Sequence, residues 1–306
     1  VNARSFAARL VWTLVSMLAF LTVMHAVFYL LPGDPVRALF GFRSPGPELL
    51  SELREAFRLD DPYPVQLGRY LTGLVTGDLG PVYRLSPNGL SASGTTVSGV
   101  IWASVPATLR MVGLAVVLQT VVGTALSGVL SGVSGRRALG FKAGVSLLIA
   151  VPSFVLASLA QIGVPWLVDA LGLLAGAAFL AAVPSGMVAL IGYPLVRETR
   201  RSDFARRAFA SGMSDRRVRW IHTMRPTMGT MVTLGAAETG NLLTAAVLVE
   251  PILGRQGLGS VLVAAMNARQ GPTILGAVGT AFVLVATMNL VADLLTMQLD
   301  PRIDAL

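Results

Sequence analysis

The chain has no cysteine and a single lysine, Lys142, among its 24 basic residues. Without cysteine there are no disulfides, no thiolate-bound metal and no thiol chemistry. A phosphate-cradling loop of the form GxxxxGK[ST] needs its lysine, and Lys142 stands in Gly-Phe-Lys-Ala. ATP is therefore not held by this chain in that way. Charge is scarce as well: 13% of residues are charged and 54% are hydrophobic, whereas a soluble domain carries about 25% charged residues. There is no HExxH for a membrane zinc protease. Ser211 and its nearest histidine, His222, share one basic segment rather than an apolar span, which leaves little for an intramembrane serine enzyme.

What the chain does contain is long apolar runs. At 1.5 Å per helical residue, about 20 residues cross a hydrocarbon core of ~30 Å. Residues 10–31 form the first such run, preceded by Arg4 and Arg9; it is too long for a signal peptide and leads into Leu-Pro-Gly-Asp-Pro instead of a small-residue cleavage site. Further spans are expected at 106–130, 143–164 with a kink or break at Pro152, 172–196 interrupted at Pro184-Ser185-Gly186, 228–252 and 273–295. Arg136, Arg137 and Lys142 follow the second span, and the densest arginine cluster follows the fourth. This positive excess places those loops, and both termini, in the cytoplasm, and accounts for the net charge of +8 without nucleic acid.

Between the first two spans lies the one sizeable region outside the membrane. Leu49, Leu50, Leu53 and Phe57 fall on one face of a short helix over 47–58, and Leu67, Tyr70, Leu71 and Leu74 on one face of a second that starts at Pro64. Gly77-Asp78-Leu79-Gly80 breaks that helix, and residues 85–98, rich in Ser, Gly and Thr, read as a mobile loop. The expected organisation is a first transmembrane helix over 1–32, an extracytoplasmic domain over 33–102, and a five-helix core over 103–306.

The arginine cluster has local structure of its own. Phe204 to Ser211 reads as a helix rich in Ala and Arg, stopped by Gly212. Ser214 and Asp215 can cap a second short helix over 216–224, which Pro226 closes. The result is a protruding knob between two membrane-length segments.

Ala208 and Gly212, then Ser214, Arg216, Arg217 and the run Ile221 to Arg225, resemble the coupling loop of ABC importer permeases, in the form found in the dipeptide and oligopeptide type. The resemblance recurs in order along nearly the whole chain: Gly33-Asp34-Pro35, Gly77-Asp78-Leu79-Gly80, Pro106-Ala107-Thr108-Leu109, Pro152-Ser153-Phe154, Val249-Glu250 leading to Gly257-Leu258-Gly259, then Asn289 to Asp293 and Leu299-Asp300-Pro301-Arg302. Three features depart from the pattern: the short segment 171–197, Pro226, and Glu238 where an amide is more usual.

The resemblance implies an all-α membrane protein of six transmembrane helices, the type I importer permease fold. It implies partners: a homologous permease subunit, two ATPase subunits that bind ATP and Mg, and an extracytoplasmic peptide-binding protein. The chain itself would need no cofactor and be no enzyme. Within the coupling loop, 197–226, the implied contacts to the ATPase are Arg206, Arg207, Ala208, Phe209, Gly212, Met213, Ser214 and Asp215. The arginines could instead serve topology and attraction to anionic lipid. In the fifth span an ionised Glu238 facing lipid would cost several kcal/mol, ~2.5–3.5 on insertion scales, so it should face protein or water. Asn241, three residues on, shares its face; the pair either lines the pathway or bonds a neighbouring helix. Gln119, Gln161 and Asn289 read as inter-helix hydrogen bonders, Glu250 and Asp293 as structural, the latter at the interface with the partner permease, and His25 and His222 as incidental. A secondary transporter or channel working alone is the competing reading, expected to show paired broken helices in two similar halves.

Overall fold

The computed structural model describes residues 3–30, 46–56, 58–86 and 89–299. Gly33-Asp34-Pro35, Phe57 and Asp300-Pro301-Arg302 lie outside them. Among the described residues, four helices are long and apolar enough to cross a membrane: α1 (Ala3–Leu30), α4 (Val97–Gly132), α8 (Leu173–Thr199) and α14 (Gly271–Leu299). Two bent pairs complete six spans: α5 (Gly135–Ala150) with α6 (Ser153–Gly163), bent by 90° and followed by the short α7 (Pro165–Leu171), and the segment Asp215–Ala237 with α12 (Thr239–Ile252), bent by 45°.

Between α1 and α4 stand two short helices, α2 (Pro47–Ala56) and α3 (Tyr63–Thr76), and an antiparallel hairpin, β1 (Pro81–Ser86) with β2 (Gly89–Thr96). Gly77 takes φ +75° and closes α3 as a left-handed cap. The described residues of the expected mobile loop over 85–98 are thus the end of β1, the whole of β2 and the start of α4, with Leu85 paired to Leu90 and Ser86 to Gly89. Ladder bonds use main-chain groups, so small polar side chains do not prevent pairing. Thr96 then caps α4, its Oγ1 accepting the Gly99 N–H at 3.0 Å, which starts this helix ahead of Pro106.

Prolines act unequally on the spans. Pro152 ends α5 and turns the chain through the 90° bend. Pro184 does not interrupt α8, which runs on through it, with Ser185 Oγ donating to the Ala181 carbonyl at 2.6 Å. Packing against neighbouring helices sustains the helix where one backbone bond is missing.

Small residues set the helix approaches. α4 and α8 meet where Gly123 leaves no room for a Cβ, 2.7 Å from that of Val188. Met111, Val112 and Ala115 of α4, Ala177, Leu180 and Ala181 of α8, and Leu242, Leu243 and Ala246 of α12 share the largest core cluster. Gln119 crosses between helices as expected, donating from Nε2 to the Gly235 carbonyl at 2.6 Å. Gln161 does not: its Oε1 is buried without a partner. Asp293 pairs with Arg9 of α1 at 2.9 Å within this chain, so the start of α1 and the end of α14 lie at the same end of the bundle.

His25 is not incidental. It is 2% exposed, with Tyr29, Tyr63 and Tyr70 around it at ring-centroid distances of 4.5, 5.4 and 5.3 Å. Tyr63 and Tyr70 come from α3, so the imidazole is part of the seam that fastens α3 to α1. The Tyr70 hydroxyl donates to the Leu275 carbonyl of α14 at 3.1 Å, and burial raises it above the ordinary tyrosine range, with the Tyr29 hydroxyl adding to the shift.

Candidate functional site

The arginine-rich knob folds as two short helices at a turn. α9 (Asp203–Ala210) ends where the Ser211 and Gly212 amides donate to the Arg207 and Phe209 carbonyls, and Gly212 takes φ +77°. A residue with a Cβ is strained there, so the sharp turn requires glycine. α10 (Asp215–Arg217) follows, its N–H at Arg217 capped by Ser214 Oγ. A wider π turn (Val218–Thr223) leads into α11 (Met224–Ala237). Pro226 therefore lies inside a helix and does not close one. In a regular helix its ring would clash with the carbonyl four residues back; the widened turn before it relieves that.

The two faces of the knob differ. Ala205 and Ala208 are buried against Val218, with Met213 packed beside them. Phe204, Arg206, Arg207 and Phe209 point to solvent. Of the expected ATPase contacts, Arg206, Arg207 and Phe209 thus share the open face, whereas Ala208 and Met213 hold the knob together. Gly212 and Ser214 shape the turn.

Asp215 is engaged within the chain. Its two carboxylate oxygens take Arg200 and Arg219, and Arg200 also donates to the Ser131 carbonyl at 3.0 Å. The Arg219 guanidinium lies where a Cβ on Gly132 would be, and the Trp220 ring sits 2.9 Å from where one on Gly128 would be. The knob is seated on the end of α4 through residues whose spacing in sequence gives no hint of it.

Glu238 and Asn241 come together at the 45° break between α11 and α12, Asn241 Nδ2 donating to Glu238 Oε2 at 2.8 Å. Glu238 is half-buried and Asn241 exposed. The carboxylate's partner is on its own segment, not on a neighbouring helix.

A second polar site joins two of the separated motifs. α13 (Leu258–Asn267) begins with its first two N–H groups taken by Thr108 Oγ1, at 2.9 Å from Leu258 N, and by Glu250 Oε2, at 2.7 Å from Gly259 N. The carboxylate occupies the place of a Gly257 Cβ, and Val247 backbone that of a Gly259 Cβ. Glu250 is structural, as its place at a span end suggests.

Residues 119–305 match the family described as binding-protein-dependent transport system inner membrane component, and residues 3–112 match its N-terminal companion. The chain belongs to this family. The permease is 26% identical to the dipeptide transport system permease protein DppB of Alkalihalophilus pseudofirmus, over 98% of this chain and 99% of that one. It is 30% identical to a putative peptide transport system permease protein of Brucella abortus, over 96% and 95% of the two chains. It is 27% identical to the glutathione transport system permease protein GsiC of Salmonella paratyphi A, over 95% and 94%. It is a multi-pass permease subunit of an ABC importer with the type I fold, and acts with a binding protein and an ATPase. A transporter working alone is thereby set aside.

Proposed function

We propose that the permease passes short peptides, delivered by an extracytoplasmic binding protein, through a pathway formed with a homologous permease subunit. Two partner ATPase subunits bind and hydrolyse the ATP, gripping the knob through Arg206, Arg207 and Phe209. The observation that carries this reading is the one-sided knob: a helix with Ala205 and Ala208 packed inward and two arginines and two phenylalanines facing out. Exposed aromatic and arginine side chains in one patch are the composition of a protein contact.

The peptide class is supported by the names of the relatives, two of them peptide or dipeptide permeases and one a glutathione permease. The knob's side of the membrane follows from its arginines, which would seat in the cytoplasm. The Arg9–Asp293 pair supports both termini on that same side. Glu238 with Asn241, at a helix break, would meet the ammonium end of a passing peptide. The region before α4 would dock the binding protein. ATP closes the ATPase pair, the gripped knobs move, and the pathway opens outward; hydrolysis resets it.

Purification of the intact complex tests this. Wild type should recover the ATPase subunits and show ATP hydrolysis stimulated by peptide-loaded binding protein. Phe209→Ala combined with Arg206→Glu should lower ATPase recovery at least tenfold. Full recovery with that variant, or cargo other than peptide in the mass spectrum of the complex, would overturn the corresponding half of the proposal.

A further inference from the structure

α4 is bonded at one end to the region that precedes it and at the other to the knob. Its 36 residues make about 54 Å of helix, well beyond the ~30 Å of a hydrocarbon core. At its first residue it is continuous with β2, and the Val97 N–H donates to the Gly80 carbonyl at 2.9 Å, in the turn that follows α3. At its last turn the Ser131 carbonyl takes the Arg200 guanidinium at 3.0 Å, and Gly132 gives space to that of Arg219. Terminal carbonyls of a helix lack partners within it and carry the negative end of its dipole, so arginine is favoured there.

Both arginines are held by one carboxylate. Asp215 pairs with Arg200, which follows α8, and with Arg219, in the π turn. Arg219 is 17% exposed and Arg200 24%, and each has a buried Nε without a partner. Screening by water is reduced around them, so the pairing is firmer than between fully exposed side chains. The knob is bonded through the chain to α8 and α11 but not to α4. Asp215 and its two arginines, together with the Trp220 ring packed on Gly128, supply that missing attachment.

We propose that Asp215 is a positioning residue that fastens the coupling knob to the inner end of α4, so that α4 relays between the ATPase and the region where the binding protein docks. This rests on the reading of the knob as the ATPase grip. Asp215 acts through Arg200 and Arg219 and does not itself touch the ATPase. Rigid elements joined by ionic contacts are a physical route for coupling over such a distance.

The experiment uses the complete complex in lipid nanodiscs, with and without loaded binding protein. The quantity read is the ratio of the two ATP hydrolysis rates, alongside recovery of ATPase subunits. Asp215→Asn should lower the stimulation at least fivefold while recovering ATPase subunits like wild type, and Asp215→Glu should restore most of it. Gly132→Ala, which displaces Arg219 without altering a charge, should lower stimulation in the same way and decides the matter should Asp215→Asn fail to fold. Unchanged stimulation in both variants overturns the proposal. Loss of ATPase subunits with Asp215→Asn but not with Gly132→Ala overturns it too, because Asp215 would then be a direct contact. Unchanged ATPase recovery when Phe209 and Arg206 are altered refutes the grip itself, a separate result.

Discussion

Glu250 accepts the backbone N–H of Gly259 at 2.7 Å while its carboxylate fills the space a side chain on Gly257 would need. With Thr108 on the neighbouring amide, it anchors the start of α13 between α4 and α12. The stretches around Thr108, Glu250 and Gly257-Leu258-Gly259 are far apart in sequence and form one joint in space.

That joint should be intolerant of small changes. Gly257→Ala forces a methyl group into the carboxylate and should cost about 1–3 kcal/mol, as overpacking does in well-filled interiors. Glu250→Ala leaves the Gly259 amide without its partner and should cost a similar amount, about 1–3 kcal/mol for a buried donor left unsatisfied. Thermal unfolding of the purified complex measures both. A midpoint within error of wild type for Gly257→Ala would contradict the packing described.

The helix break at Glu238 bears on transport rather than on stability. Glu238→Gln keeps an oxygen for the Asn241 amide, so the complex should assemble and melt as wild type. Peptide uptake in proteoliposomes should nonetheless fall several-fold, because the charge that would meet an ammonium group is gone. Normal uptake would leave the pair a purely local hydrogen bond.

Alkaline pH should loosen the contact between α3 and α14. The folded protein holds Tyr70 above its ordinary value, so the folded state keeps this proton more tightly than the unfolded chain. The stability linked to it is complete below about pH 10, the unfolded value. It is lost as pH rises from there through the folded value. Tyr70→Phe removes the bond to Leu275 and this pH dependence together. Unfolding midpoints at successive pH values above 9 should fall faster for wild type than for the variant, and parallel curves would refute the assignment.

Much of this was legible in the chain because membrane helices announce themselves by length and apolarity. The six spans, the break at Pro152 and the turn at Gly212 follow from local rules. The hairpin before α4 is hard to read from the chain because Ser, Gly and Thr favour loops, whereas the ladder that forms it uses main-chain groups. Pro184 and Pro226 misled for one reason: the rule that proline stops helices assumes isolation, and here neighbouring helices or a π turn absorb the fault. The convergence of Arg200 and Arg219 on Asp215 is not visible in the motif, because tertiary folding brings the three together. His25 looked incidental because its tyrosine neighbours on α3 are brought by tertiary folding.

The most direct test of the coupling account is photo-cross-linking in membranes from a reactive residue placed at position 209, with position 75 as its counterpart. Val75 is 88% exposed on α3, in the region before α4. Position 209 should yield an adduct with the ATPase and none with the binding protein, and position 75 should yield none with the ATPase. An ATPase adduct from position 75, or a binding-protein adduct from position 209, would contradict the assignment of the knob.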